Sequence, residues 1–366
     1  MDRVINCFLL GAGASRDAHL PTSEELWADF KAKASHSMRR RLDSLEKAVK
    51  IEEDSKSKAT PGKNRADPNI EKIATKVRGD DISLFDKLRG FTIKRVQSPK
   101  HFEYLRSVYS FDYDWTWGNA RTGTPVWKLV PEDRQFMLNC STRVFTLNYD
   151  TTVERALGLY DPYLGLFEWV SESDELVLAE DIRFNDHRGV FEKSEDPNKP
   201  PRDTRGVFKL HGSINWVRRK VGEMEKLFVS NHSARGHCEI IFGTDEKLRM
   251  TEPYEKLFPV FSISLQKCSV LFVVGYSFGD RHINEVIGEQ VGHGMRVVCI
   301  NPNPNVEGAK VHMPLEKIVF VREGTKKAFS RAAVSCSLGL KGKKNIRGGL
   351  RGVYAKVVQP MLRRTR

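Results

Sequence analysis

Four apolar segments of this chain stop at a glycine, an asparagine or a histidine, and that repeated ending constrains the fold more than any other feature. Val207 to Leu210 runs into His211-Gly212-Ser213, Val4 to Leu10 into Gly11-Ala12-Gly13-Ala14-Ser15, Arg143 to Leu147 into Asn148-Tyr149-Asp150, and Val270 to Val274 into Gly275-Tyr276-Ser277-Phe278-Gly279-Asp280. Short, nearly continuous apolar runs suit parallel strands covered on both faces. Helical spacing follows two of them, at Leu20, Leu26, Trp27 and Phe30 within Arg16 to Phe30, and at Ile283, Val286 and Ile287 after Asp280. Strands alternating with helices predict an α/β fold, a doubly wound parallel sheet of Rossmann-like type with a mostly helical insertion. Ligands of such sheets bind beyond the carboxyl ends of the strands, so the four junctions predict one site.

The residue types at those junctions narrow the chemistry. Gly11 and Gly13 permit close backbone approach, and the N–H groups opening the next helix, with Ser15 nearby, favour an anion. A tight structural turn is the plainer reading of the same residues. The third glycine of a dinucleotide fingerprint would fall at Arg16, which disfavours a conventional dehydrogenase loop. Asn148 carries a carboxamide that can both donate and accept at a strand end. Asp150 and Thr151 read either as ligand groups or as caps for a helix carrying Val153, Ala156 and Leu157. His211 is a candidate base near neutral pH, or a structural histidine. Arg296 to Ile300 is the last strong strand, and the prolines of Asn301-Pro302-Asn303-Pro304 leave Asn301 facing the crevice.

Residues 1–30 and 135–335 form the expected sheet domain, 31–134 the helical insertion and 336–366 a basic C-terminal tail. The insertion is charged at first and aromatic later, with Phe102, Tyr104, Tyr109, Phe111, Tyr113, Trp115 and Trp117 read as its packing. The proline-containing stretch 194–204 is expected to act as a lid. A strand pair is expected at Lys226–Val229 and Cys238–Phe242, then a helix over Tyr254–Cys268. His232, His237 and Cys238 invite a metal reading, which fails for want of paired cysteines at zinc spacing. All six cysteines lack a C-x-x-C partner, which predicts reduced thiols in a cytoplasmic protein, and no apolar run is long enough for a membrane helix.

The formal charge of +13 is concentrated at one end, since residues 322–366 hold 13 Lys/Arg against the single acid Glu323. That asymmetry predicts nucleic acid or an acidic partner at the tail, or else a solvated terminus. Within it, Val353 to Leu362 is apolar enough to dock, leaving a mobile glycine-basic linker over 341–351.

Taken together, Gly11-Ala12-Gly13-Ala14-Ser15, Thr146-Leu147-Asn148-Tyr149-Asp150, Lys209-Leu210-His211-Gly212-Ser213, Gly275-Tyr276-Ser277 and Ile300-Asn301-Pro302 resemble, in order and type, the sirtuin-like (silent information regulator) domain. The closest resemblance is to its bacterial branch of NAD-consuming antiphage defence proteins. The resemblance implies that Gly11, Gly13 and Ser15 cradle the NAD+ pyrophosphate. It places Asn148 and His211 at the nicotinamide ribose as catalytic residues and Ser277 and Asn301 along the adenosine half, with Ala12, Asp150 and Gly275 completing the cofactor-binding set. It implies NAD+ hydrolysis to nicotinamide and ADP-ribose in abortive infection, a homo-oligomer, and a separate partner such as a HerA-type ATPase. Protein-deacylating sirtuins carry paired C-x-x-C zinc motifs after the histidine and an Asp-Phe-Arg after the first loop. Here only Cys238 and Cys268 lie between His211 and Gly275, and His19-Leu20-Pro21-Thr22 follows the first loop, so no zinc is expected. NAD-dependent deacylation and non-catalytic sensing of NAD or ADP-ribose are the alternatives.

Overall fold

The computed structural model describes residues 5–59, 68–105, 142–153, 156, 177–178, 182–185, 190–193, 206–229, 238–243, 254–330 and 332–363. The expected lid at 194–204, the histidines 232 and 237, Cys140 and the aromatic residues from Tyr109 to Trp117 lie outside the described residues.

In chain order, strand β1 (Ile5–Leu10) precedes four helices, α1 (Ser23–Lys33), α2 (His36–Ala59), α3 (Ile70–Val77) and α4 (Ile82–Arg95). Strands β2 (Thr142–Thr146), β3 (Val177–Leu178), β4 (Ile182–Asn185), β5 (Val190–Lys193), β6 (Gly206–Lys209), β7 (Gly212–Val221), β8 (Met224–Val229) and β9 (Cys238–Ile240) come next. The chain then alternates through α5 (Tyr254–Gln266), β10 (Cys268–Val274), α6 (Arg281–Gly292), β11 (Arg296–Ile300), α7 (Val306–His312), β12 (Ile318–Val321) and α8 (Thr325–Phe329). It ends in β13 (Val334–Leu338), β14 (Lys344–Ile346) and α9 (Gly349–Val353). The α9 axis continues through a wider π turn, Tyr354–Val358, into Gln359–Arg363. Pro360 has no N–H to close an ordinary turn there.

The main sheet has the order β14-β13-β12-β11-β10-β1-β2-β6, parallel from β12 to β6 and antiparallel at β12-β13-β14. From β1 the chain builds outward one way through β2 and β6, then returns to β10 and builds the other way. That reversal between β1 and β10 is the switch point of a doubly wound fold. Successive residues of β1 serve opposite faces: Cys7 and Leu9 pack with Phe145, Phe208 and α5, Phe8 and Leu10 with Phe272, Val298 and the C-terminal segment. Both faces are therefore covered, which is why the central strands read as unbroken apolar runs.

Several expectations are corrected. The helix expected over Arg16–Phe30 is a 3-10 turn, Ala12–Ala18, and a separate helix α1. His19 adopts φ 61° and Pro21 follows, so the first turn ends there, and Thr22 with Glu25 forms a capping box that starts α1 afresh. The expected pairing of 226–229 with 238–242 does not occur, because β8 and β9 both pair with β7 in a second sheet, β3-β8-β7-β9. Beyond Ile300, β12, β13 and β14 still follow, so Arg296–Ile300 is not the last strand, and the linker expected over 341–351 contains β14 and the start of α9.

Helices α1 to α4 do not stand apart from the sheets. Leu26, Trp27, Leu42, Ile73, Leu84 and Leu88 share a core with Ile214, Val217 and Ile240 of the second sheet, with Phe242 just beyond β9, and with Tyr149 from the loop after β2.

Candidate active site

The parallel ladders continue one residue past the strand ends. Gly11 N donates to Val274 O at 2.9 Å, Leu147 N to Leu10 O at 2.9 Å, Leu210 N to Thr146 O at 3.0 Å and Gly275 N to Ile300 O at 2.8 Å. The loops therefore leave the sheet side by side at its carboxyl edge.

The first loop and the loop after β10 touch. Gly13 N donates to Gly275 O at 2.9 Å. A Cβ on Gly11 would sit 2.7 Å from Gly275 O, one on Gly13 would sit 2.9 Å from the Gly275 backbone, and one on Gly275, whose φ is +61°, would sit 2.1 Å from Ala14 N. Loop-to-loop packing alone thus requires all three glycines. Tyr104, from the helical segment, donates its hydroxyl to Ala14 O at 2.6 Å and holds the loop from outside.

Asn148 ties this loop to β2. Its Nδ2 donates to Gly11 O and to Ser15 Oγ, each at 3.0 Å. Both amide hydrogens are thereby used, and what Asn148 offers a bound molecule is the acceptor Oδ1. Next to it, the Tyr149 hydroxyl lies 2.8 Å from both Glu71 Oε1 of α3 and Ile241 O, and its single hydrogen is donated to one or shared between the two. Asp150 Oδ1 accepts from Thr152 N at 2.8 Å, which makes its carboxylate a turn cap, and its carbonyl accepts from the buried Lys209 Nζ.

His211 stands at the corner where the chain leaves the main sheet at β6 and enters β7. Gly212 makes that corner with φ +79°, and a Cβ there would lie 2.3 Å from Glu239 O. The imidazole Nε2 lies 3.1 Å from Asp280 Oδ2, with each side chain 3% exposed. The distance is that of a hydrogen bond, but the alignment between the two groups is not. Asp280 was visible in the sequence only as the residue before a helix. Tyr276 supports it from below, accepting from Asp280 N and donating to Asn284 Oδ1, both at 2.9 Å.

Ser277 and Asn301 end neighbouring strands on the far side of Gly275. Ser277 is exposed, with its carbonyl accepting from Asn305 Nδ2 at 3.0 Å, and Asn301 Oδ1 closes a turn by accepting from Asn303 N at 3.0 Å.

Burial pushes the phenols of Tyr149 and Tyr276 well above their ordinary value, with Glu71 adding to the first and Asp280 to the second, so both remain neutral donors. Burial likewise pushes the thiols of Cys238 to about 11 and Cys299 to about 12, which keeps them protonated. Cys238 donates to Ile214 O at 3.0 Å. Among the described residues no group of three or more His, Cys, Asp or Glu is placed to hold a metal ion, and no helix is long and apolar enough to cross a membrane.

A mostly parallel sheet whose strand order reverses between β1 and β10, with two glycine loops meeting at the reversal, defines a Rossmann-like α/β protein. Residues 142–297 match the family model of the SIR2-like domain. That span runs from β2 into β11 and includes Asn148, His211, Gly275 and Ser277. Among solved structures, a mutant Sir2 homologue complexed with 2′-O-acetyl ADP ribose is 14% identical, over 89% of this chain and 88% of that one, with a TM-score of 0.45. A Sir2 homologue–NAD complex is 12% identical, over 89% and 86%, with a TM-score of 0.46. No curated protein sequence matches the chain.

Proposed function

We propose that this chain is an NAD+ glycohydrolase that cleaves the nicotinamide–ribose bond. The observation that carries the reading is the convergence of the Gly11–Ser15 loop, Asn148 and His211 at the carboxyl ends of adjacent strands beside the switch point, within or adjoining the SIR2-like domain. The crevice suits a dinucleotide, with its pyrophosphate at the first loop and Ser277, Asn301, Ala12, Asp150 and Gly275 along its length.

In this mechanism the bond from C1′ to the nicotinamide nitrogen breaks and its electron pair leaves with neutral nicotinamide, building oxocarbenium character on the ribose. Water attacks C1′ and its proton passes to His211 and then to solvent, giving ADP-ribose. Asn148 Oδ1 accepts from a ribose hydroxyl or from that water. Turnover is followed by chromatography of NAD+ with wild type, Asn148→Ala and His211→Ala. Each variant is expected to lose about 100-fold or more in kcat, and undiminished turnover in both would refute the assignment.

One observation favours binding without cleavage: His211 is buried and already faces Asp280. Tight calorimetric binding of NAD+ with no nicotinamide released after overnight incubation would establish that reading instead. Deacylation would show as nicotinamide release only when an acyl-lysine peptide is supplied.

An unrestrained hydrolase of this kind would drain its host. The reading therefore extends to a latent cytoplasmic enzyme, released in antiphage defence by assembly or by a separate partner such as a HerA-type ATPase, with the basic C-terminal segment as the contact for nucleic acid or an acidic surface. Copurification from the native operon tests this part.

A further inference from the structure

Asp280 has no role in the mechanism above, yet its placement is specific. It occupies the N-cap position of α6 and makes no side-chain hydrogen bond to the helix it caps. Asx residues at this position ordinarily accept from the first helical turn, so this carboxylate has been directed elsewhere. Its Oδ2 lies 3.1 Å from His211 Nε2, and the two side chains, 69 positions apart in sequence, are equally shielded from water. The backbone around it is held in place: Asp280 N donates to Tyr276 Oη at 2.9 Å, Tyr276 Oη donates to Asn284 Oδ1 at 2.9 Å, and Asn284 Nδ2 donates to Phe278 O at 2.8 Å. The start of α6 adds the positive end of a helix dipole, which favours the anionic carboxylate.

A carboxylate at Nε2 has two consequences for the ring. It selects the tautomer that carries hydrogen on Nε2 and leaves the lone pair on Nδ1. It also balances the charge of the imidazolium that forms when Nδ1 takes a proton.

The geometry points to Asp280 as the positioning residue for His211, fixing the imidazole as its Nε2–H tautomer so that Nδ1 receives the proton from the attacking water. Its role in turnover rests on the hydrolase reading; the pairing rests on the contact alone. In the step, a water O–H bond breaks and its proton goes to Nδ1. The water oxygen bonds C1′ as the C1′–nicotinamide bond breaks, and the imidazolium formed beside Asp280 returns its proton to solvent.

The two parts are tested separately. Nitrogen-15 NMR of the full chain labelled at histidine, with the His211 signals identified by their loss in His211→Gln, reads the tautomer without any turnover. Wild type is expected to show His211 as Nε2–H, and Asp280→Asn to shift it towards Nδ1–H. Kinetics of Asp280→Asn should show kcat lower by about 100-fold with KM changed by less than about 3-fold. A wild-type His211 found as Nδ1–H overturns the proposal even if Asp280→Asn does not fold, and so does an unchanged kcat in the folded variant. Wild type that releases no nicotinamide defeats the hydrolase reading, and the tautomer alone then decides the pairing.

Discussion

At Gly275 two demands fall on one residue. The backbone turns there with φ +61°, and the space where a side chain would begin is filled by the backbone of Gly13 and Ala14. Gly222, in the turn between β7 and β8, has nearly the same φ, +63°, with nothing within 4 Å of where its Cβ would be. Comparing the two separates conformational strain from steric overlap. Gly222→Ala should cost about 1–2 kcal/mol, the strain of a left-handed residue. Gly275→Ala should cost at least about 4 kcal/mol, because two loops must part as well. Denaturant midpoints of the two variants check this, and equal costs would mean that the loops yield easily. The pattern of the sequence shows that these glycines end strands, but not that Gly11, Gly13 and Gly275 are glycines because of each other.

At the scale of elements, the helices between β1 and β2 are fastened to the site rather than appended to the fold. Tyr149 follows Asn148 directly and reaches Glu71 of α3, while Tyr104 reaches the first loop. Tyr149 and Tyr276 hold their protons far above the ordinary phenol value, by burial first, and the unfolded chain releases them near pH 10. A raised folded value means that the native state keeps protons the unfolded state loses. The stability involved is therefore full below about pH 10 and is lost as pH rises beyond it. The thermal midpoint should hold level to about pH 9 and fall above about pH 10, with phenolate absorbance from these residues appearing only with unfolding. Phenolate from all tyrosines in the folded protein would contradict the burial of this layer. Element boundaries were legible where chemistry is local: Arg296–Ile300 appears as expected, and the Thr22–Glu25 capping box was present to be read. The pairing of β7 with both β8 and β9 was not, because alternation shows that a strand has a buried face without naming its neighbour.

Across the whole molecule, the C-terminal segment completes the core. Leu350, Val353 and Val358 are buried against the face of the main sheet that carries Phe8, Phe272 and Val298, and the Tyr354 ring lies 6.3 Å from that of Phe272. Each such side chain contributes roughly 1.5–3 kcal/mol by leaving water. Deletion of residues 349–366 should therefore abolish cooperative melting, and limited proteolysis of the full chain should spare the region from β13 to α9. A truncated chain that melts normally would show that this segment is dispensable. What the amino-acid sequence determined by itself was the set of strand ends, their order, and the kind of chemistry each could offer, since burial on both faces writes unbroken apolar runs and turns demand particular residues. Only the tertiary structure decided that His211 faces Asp280, that Asn148 uses both its hydrogens on the first loop, and that the basic C-terminal segment is part of the sheet. Those outcomes join residues tens to hundreds of positions apart, and such partners are chosen by how whole elements pack, which no local pattern records.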